Sequence, residues 1–256
     1  MSNIAPINFK YLNGQELENI ELPPIRYLLD GLLAEDDIMM VYGPGGTGKS
    51  WVSATIALAV TTGGRAFDWV AKSESPVLYI DGEMTMKRLQ QRFTQISRGP
   101  IPKNLHLLSA HHQDFGVDMD ISTPQQQQNI LTFIRRNEIK LLILDNLSCT
   151  VNLEGENDAS SWAPTRSFLM QLKKLGVASI LVHHPTKSGD PRGSSTRKDS
   201  LDLCMRLQPN KGELEAVPEG GGASIIMSFD KSRNEPNLMK FEKRWGLFLW
   251  TEALWH

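Results

Sequence analysis

From Asp37 onward, short continuous apolar runs alternate with longer amphipathic stretches. The apolar runs are Ile38–Tyr42, Val77–Asp81, Leu105–Ser109, Leu141–Asp145 and Val177–His183. Each is only a few residues long and lacks polar alternation, as expected of strands buried on both faces. Between them, apolar residues recur at helical spacing over Lys49–Thr62, Met84–Ser97, Pro124–Asn137 and Pro164–Leu175. Thr123 before Pro124 reads as a helix N-cap with proline in the first turn, and Gly176 stands where a helix stop belongs. Strand–helix alternation of this kind predicts an α/β fold with a mainly parallel sheet flanked by helices.

The texture differs at both ends. Residues 1–35 read as an extended lead-in with some helix, marked by Pro23-Pro24, and residues 36–256 as the main domain. After residue 200, short apolar stretches at Leu201–Gln208, Ser224–Phe229, Leu238–Phe241 and Leu247–Thr251 have no long helices between them. They predict C-terminal antiparallel strands added to the sheet edge, with Lys211–Gly222 as a glycine-rich loop.

Composition narrows the class without naming a function. The 256 residues carry 27 Lys+Arg against 29 Asp+Glu, a net charge of −2, which argues against a uniformly basic nucleic-acid coat but allows local basic loops. Cys149 and Cys204 have no CxxC spacing, so a disulfide framework or zinc site is not expected and a reducing cytoplasm is. No apolar run reaches the roughly 18 residues of a membrane span, and the N-terminus has no basic-then-apolar signal pattern. No membrane partner is expected.

The decisive chemistry is Gly43-Pro44-Gly45-Gly46-Thr47-Gly48-Lys49-Ser50, a full GxxxxGK[ST] match between a strand and a helix. Glycines let backbone N–H groups wrap phosphates, and the helix N-terminus adds its positive end. Lys49 reaches the β- and γ-phosphates, and Ser50 is placed to ligate Mg²⁺. The cofactor is therefore a nucleoside triphosphate with Mg²⁺. Asp145 ends a buried strand at the edge where open α/β sheets bind ligands, and serves as the second metal acid. Asp81 and Glu83, ending the strand Val77–Asp81, both offer a carboxylate to position and deprotonate water; spacing favours Glu83. His183 and His184 close the fifth strand and point to opposite faces, so one of them enters the site. Lys231 and Arg233, at i and i+2, project from one face of an extended chain.

The segments GPGGTGKS, VLYIDGE, LLILD and ILVHH occur in the order and spacing of RecA-like ATPases, and the chain resembles their hexameric replicative-helicase branch. DKSRNEP, residues 230–236, resembles the finger segment of DnaB-type motors; HHPTKSGDPRGSS and the compact length resemble plasmid RepA-type helicases. The resemblance covers roughly Leu22 to the C-terminus. It implies a RecA-like P-loop core and an Mg²⁺-dependent ATPase and DNA helicase that hydrolyses ATP between subunits of a homo-oligomer, a hexamer. On it, Glu83 is the base, His184 the γ-phosphate sensor, and Lys231 with Arg233 act on a neighbour's site. It also implies single-stranded DNA binding through loops near Asn146–Ser161 and Lys187–Lys198, in phage, plasmid or mobile-element replication or repair. The first loop carries Glu154, Glu156 and Asp158 and no cation, so DNA contacts are expected from Lys187, Arg192, Arg197 and Lys198. A separate primase or replication initiator is expected on another chain. The competing reading is an ATP-gated recombination mediator or loader that binds DNA without unwinding it, and a third is a switch that binds a protein partner alone.

Overall fold

The computed structural model describes residues 10–114, 119–151, 159–184, 199–210 and 222–248. A short helix α1 (Gly14–Asn19) precedes a two-stranded antiparallel hairpin, β1 (Tyr27–Leu29) with β2 (Leu33–Ala34). Then come β3 (Ile38–Tyr42), α2 (Lys49–Thr62) and a second small hairpin, β4 (Arg65–Ala66) with β5 (Trp69–Val70). The core continues through β6 (Val77–Asp81), α3 (Met86–Ser97), β7 (Leu105–Ser109), α4 (Pro124–Arg136), β8 (Leu141–Asp145), α5 (Leu147–Thr150), α6 (Ala159–Lys174) and β9 (Ala178–His183). It closes with β10 (Leu203–Pro209), β11 (Gly222–Ser232) and β12 (Glu242–Phe248).

Eight strands form one sheet in the order β12-β11-β10-β3-β9-β8-β6-β7. β10, β3, β9, β8, β6 and β7 run parallel; β11 and β12 add antiparallel at one edge. The parallel register aligns the carboxyl ends of β3, β6, β8 and β9, so the residues that follow them share one rim. This is the RecA-like architecture expected from the sequence, with β11 and β12 antiparallel as expected; the stretch Leu201–Gln208, expected among the antiparallel strands, instead forms β10, which extends the parallel set beside β3 before the chain turns back.

The period of two in each strand divides the core. Met39 and Val41, with Tyr79, Ile143 and Ile180, face a cluster that includes Val52, Ile56 and Val60 of α2 and Leu89 and Phe93 of α3. Ile38, Met40 and Tyr42, with Ile80, Leu142, Leu144 and Leu181, face Ile130 and Ile134 of α4 and Phe168 and Leu172 of α6. The strands are buried on both sides, which is why their sequences read as unbroken apolar runs.

Local chemistry sets the helix ends, and some boundaries differ from the sequence pattern. Thr123 accepts a hydrogen bond from the Gln126 N–H, the N-cap that Pro124 signals. α3 starts at Met86, two residues later than its apolar pattern. α6 starts at Ala159 and runs through Pro164 instead of beginning there; the hydrogen bonds a proline forfeits fall early in this helix. Leu238–Phe241 is not a strand. Pro236 opens a 3₁₀ turn over Pro236–Lys240, and a proline in its first turn favours helical φ over a ladder position. The last strand begins at Glu242, ahead of the expected Leu247–Thr251, of which residues 249–251 lie outside the described residues; its Trp245 meets Phe67 edge-on at 5.2 Å, and Phe241 just before it lies 5.1 Å from Trp69.

Phe93 is fully buried and stands edge-on to Tyr79 with centroids 5.3 Å apart. Phe93→Ala is expected to lower unfolding stability by about 3–5 kcal/mol through the cavity it leaves, measured by urea denaturation.

Candidate nucleotide site

The site is built at the carboxyl rim. Gly43 leaves β3 so close to the neighbouring strand that a Cβ there would lie 2.3 Å from the Leu207 carbonyl oxygen, so only glycine fits. Gly46 and Gly48 adopt φ of +75° and +79°, the left-handed geometry that turns successive N–H groups inward. At Gly45 nothing approaches within 4 Å of a Cβ position. Thr47 Oγ1 donates to the Pro44 carbonyl at 2.8 Å and braces the turn. Gly48 is the cap residue of α2, so the loop delivers its amides to a helix N-terminus.

Lys49 is buried; its ammonium donates to the carbonyls of Gly43 at 2.8 Å and Pro44 at 2.9 Å, and lies 3.3 Å from His184 Nδ1. Burial pulls its pKa below the ordinary lysine value, partly offset by the attraction of Asp145 and Glu83. Ser50 Oγ donates to Asp145 Oδ1 at 3.1 Å, and the buried Tyr79 hydroxyl donates to Asp145 Oδ2. Ser53 Oγ lies 3.2 Å from the same hydroxyl. Burial raises the pKa of Asp145, and the Tyr79 and Ser50 hydrogen bonds oppose that rise.

The two candidate bases part company here. Asp81 Oδ1 accepts the backbone N–H groups of Glu83 at 3.0 Å and Met84 at 2.6 Å, so its carboxylate closes the turn after β6. Glu83 is exposed, with Oε2 accepting from Asn146 Nδ2 at 2.8 Å. His183 is buried at the end of β9, and His184 is the histidine that reaches the pocket.

Glu83, Lys49, Ser50, Asp145, Asn146 and His184 line one cavity of about 260 Å³, together with Gly46, Gly48, Trp51 and Arg92. The last two, with Tyr79 and Asn146, carry no motif in the sequence. Arg92 sits on α3 nine positions beyond Glu83, its guanidinium 5.3 Å from the Trp51 ring centroid. Arg92 Nη1 is buried with no hydrogen-bond partner among the described residues, a cationic donor beside a phosphate loop. No motif or helical spacing marks it in the sequence, since Glu83 precedes α3.

These groups fit Mg²⁺ and a triphosphate. Mg²⁺ takes hard oxygen ligands, usually one or two carboxylates plus phosphate oxygens and water; Ser50 and Asp145 present a hydroxyl and a carboxylate side by side. The loop amides, Lys49 and Arg92 supply the positive charge that phosphates need.

Lys231 and Arg233 stand elsewhere. β11 runs against β10, and Leu203, at the start of β10, pairs with Ser232 and Met39. The two cations therefore lie at the amino end of β3, opposite the phosphate loop. Arg233 pairs with Asp202 at 3.6 Å and donates to the Asp199 carbonyl, while Asp202 also receives Lys173 at 2.8 Å and the Ile38 N–H at 3.0 Å. Burial, and secondarily Arg233, lowers the pKa of Lys231. Lys187, Arg192, Arg197 and Lys198, and the acids Glu154, Glu156 and Asp158, lie outside the described residues.

A family model for an AAA domain matches residues 6–190, which include the phosphate loop, both acidic strand ends and the histidine pair. The chain belongs to the AAA domain family. The DNA repair protein RadA of Campylobacter jejuni is 22% identical over 222 residues, 81% of this chain and 44% of that protein. RadA of Helicobacter pylori is 23% identical over 185 residues, 71% of this chain and 36% of that one. The AAA-family chain thus spans less than half the length of these curated relatives. Its fold matches a KaiC-like protein from Pyrococcus horikoshii with a TM-score of 0.61 at 14% identity, covering 87% of this chain and 94% of that structure. Fold and family together make this a RecA-like P-loop ATPase domain. No helix among the described residues is long and apolar enough to cross a membrane.

Tyr79→Phe is expected to keep the fold while releasing one Asp145 oxygen. Loss of one hydrogen bond to a charged group, about 1.5–3 kcal/mol, corresponds to a rise of tenfold or more in the Mg²⁺ concentration needed for nucleotide binding. Titrating Mg²⁺ against a fluorescent ATP analogue tests this.

Proposed function

We propose that the protein is an ATP-dependent DNA motor that hydrolyses ATP between subunits of a homo-oligomer. The observation that carries this is the division of the machinery: the phosphate loop, Asp145 and Glu83 share one cavity, while the finger pair lies at the opposite end of the sheet. On this reading Lys231 and Arg233 act in a neighbouring copy. A hexameric ring is the arrangement proposed from the helicase resemblance.

Lys49, Arg92 and the loop amides bind and orient the phosphates. Ser50 and Asp145 hold Mg²⁺, which neutralises phosphate charge when bound. Glu83, aimed by Asn146, orients water and accepts its proton. Its exposure leaves the carboxylate open to solvent, whereas Asp81 is occupied by the turn backbone. His184, 3.3 Å from Lys49, registers loss of the terminal phosphate and passes it to the chain that follows β9, the segment assigned to single-stranded DNA. Lys231 and Arg233 of the neighbour stabilise transition-state charge, as trans-acting cations do in phosphoryl transfer. The proposed setting is cytoplasmic DNA replication or repair, with any primase or replication initiator on a separate chain. The lead-in of residues 1–35 serves assembly, and residues 36–256 form the ATPase domain.

A second reading is an ATP-gated recombination mediator or loader with little turnover; the relatives described as DNA repair proteins favour it. Fork unwinding separates the two: strand separation that requires ATP supports the motor, and DNA-stimulated ATP binding without unwinding supports the mediator.

Glu83→Gln is expected to bind ATP normally and to lose turnover by about 10²–10⁴-fold, the range for removal of a general base. Steady-state ATPase beside equilibrium nucleotide binding checks it; retained hydrolysis moves the base elsewhere. Arg233→Ala is expected to lose hydrolysis while still assembling. Mixing it with Glu83→Gln protein is expected to restore part of the activity, because intact Glu83 and intact Arg233 then meet at some interfaces. Absence of rescue counts against fingers in trans.

A further inference from the structure

The fastenings of the segment that follows β11 converge on the amino end of β3. Two buried carboxylates stand there: Asp37, just before β3, and Asp202, just before β10. The Asp202 N–H donates to the Ile38 carbonyl at 2.8 Å, and the Ile38 N–H donates to Asp202 Oδ2 at 3.0 Å. Asp202 Oδ2 also accepts Lys173 of α6 at 2.8 Å, so this oxygen is committed to the core. Oδ1 is the oxygen beside Arg233, 3.6 Å from Nη1, and the Asp202 carbonyl accepts the Arg233 N–H at 3.0 Å. The next residue repeats the pattern. Asn234 Nδ2 donates to Asp37 Oδ1 at 3.0 Å, while Asp37 Oδ2 accepts the Ala34 N–H at 2.8 Å. Glu235 Oε1 then accepts the Tyr27 hydroxyl at 2.6 Å.

These contacts fix the Arg233 backbone more firmly than its guanidinium. At 3.6 Å the Asp202 contact is an attraction between charges, too long for a hydrogen bond, and the side chain is half exposed. Its Nη2 donates to the Asp199 carbonyl. A guanidinium has five N–H donors, so this holding leaves donors for a phosphate. An arginine without such a restraint is spread over many rotamers, and a cation serves a transition state best when it is already in place.

We propose that Asp202 is a positioning residue for Arg233: it aims the guanidinium toward a neighbouring copy, while Asp37, through Asn234, fixes the turn that carries it. Asp202 acts through Arg233 and touches no nucleotide. Because Asp202 also holds Ile38 and the phosphate loop leaves the other end of β3, one buried strand joins each copy's finger to its own phosphate loop. This rests on the reading above that Arg233 acts in trans.

The test uses the full chain. Asp202→Asn keeps an oxygen for the Ile38 N–H and removes the charge beside Arg233. Its kcat for ATP hydrolysis is expected to fall about 10–100-fold with KM and assembly unchanged, the pattern of a group that acts only in the transition state. Mixed with Glu83→Gln protein it is expected to regain part of the activity, because sites that keep Glu83 then meet an unaltered Asp202 and Arg233. Added to Arg233→Ala it is expected to cause no further loss, since nothing remains to aim. Asn234→Ala, at an exposed position, is expected to lower kcat by a smaller factor, again at constant KM.

Unchanged or faster turnover in Asp202→Asn, beside an inactive Arg233→Ala, overturns the positioning role. A loss accompanied by weaker ATP binding, or one that Glu83→Gln protein does not rescue, marks Asp202 as merely structural and overturns it too. If Asp202→Asn does not fold, Asn234→Ala decides, and an unchanged kcat there overturns the inference. Normal turnover in Arg233→Ala instead removes the finger reading on which all of this rests.

Discussion

The Asp145 carboxylate, nearly sealed from water, is the group on which the site depends. Burial of an isolated carboxylate costs several kcal/mol and drives it toward its neutral form. Here Ser50 from α2 holds one oxygen and Tyr79 from β6 the other. That arrangement fixes the distance between three elements, β8, β6 and the first turn of α2. It also commits the carboxylate to face the loop that Gly43 starts. The tight passage of Gly43 past the Leu207 carbonyl locks the loop from the other side, through β10. The phosphate loop is therefore held between two neighbours that come from distant parts of the chain.

Sheet order explains how so many functional groups converge. Because β3, β9, β8 and β6 are adjacent and parallel, the residues just beyond Tyr42, His183, Asp145 and Asp81 share one rim. Ligands bind at that rim in open α/β sheets because loop amides, helix N-termini and strand-end side chains all face it. The antiparallel return of β11 has the opposite consequence. It carries Lys231 and Arg233 to the far end, where Asp202 gathers Arg233, Lys173 and the start of β3. Lys231 and Arg233 therefore stand at the end of the sheet opposite the phosphate loop, and the lead-in of residues 10–26 stays exposed.

Much of this was legible in the residues. Apolar runs buried on both faces located five of the six parallel strands within a residue, and α2 began and ended where its pattern did; β10 was legible as a strand but not as a parallel one, because its partner β3 lies far off in the chain. The phosphate loop was readable because its glycines answer to backbone geometry, which is local. The signals failed where non-local packing competed. Leu238–Phe241 looks like a strand by composition, but Pro236 and the aromatic contacts around Phe241 make it a turn. Pro164 looks like a helix start, but α6 packs against the sheet along a longer face.

The sequence by itself determined the fold class, the loop, and the strand ends that present acids and histidines, because period and glycine placement act over a few residues. The tertiary structure alone decided the rest. It turned Asp81 into a turn brace and left Glu83 open, with Asn146 beside it. It chose His184 over His183 and brought Arg92 across α3 onto Trp51. It drew Tyr79, an apparent core residue, onto the Asp145 carboxylate. Each of these outcomes depends on which side chains meet across elements far apart in the chain, and only the packed sheet sets those distances.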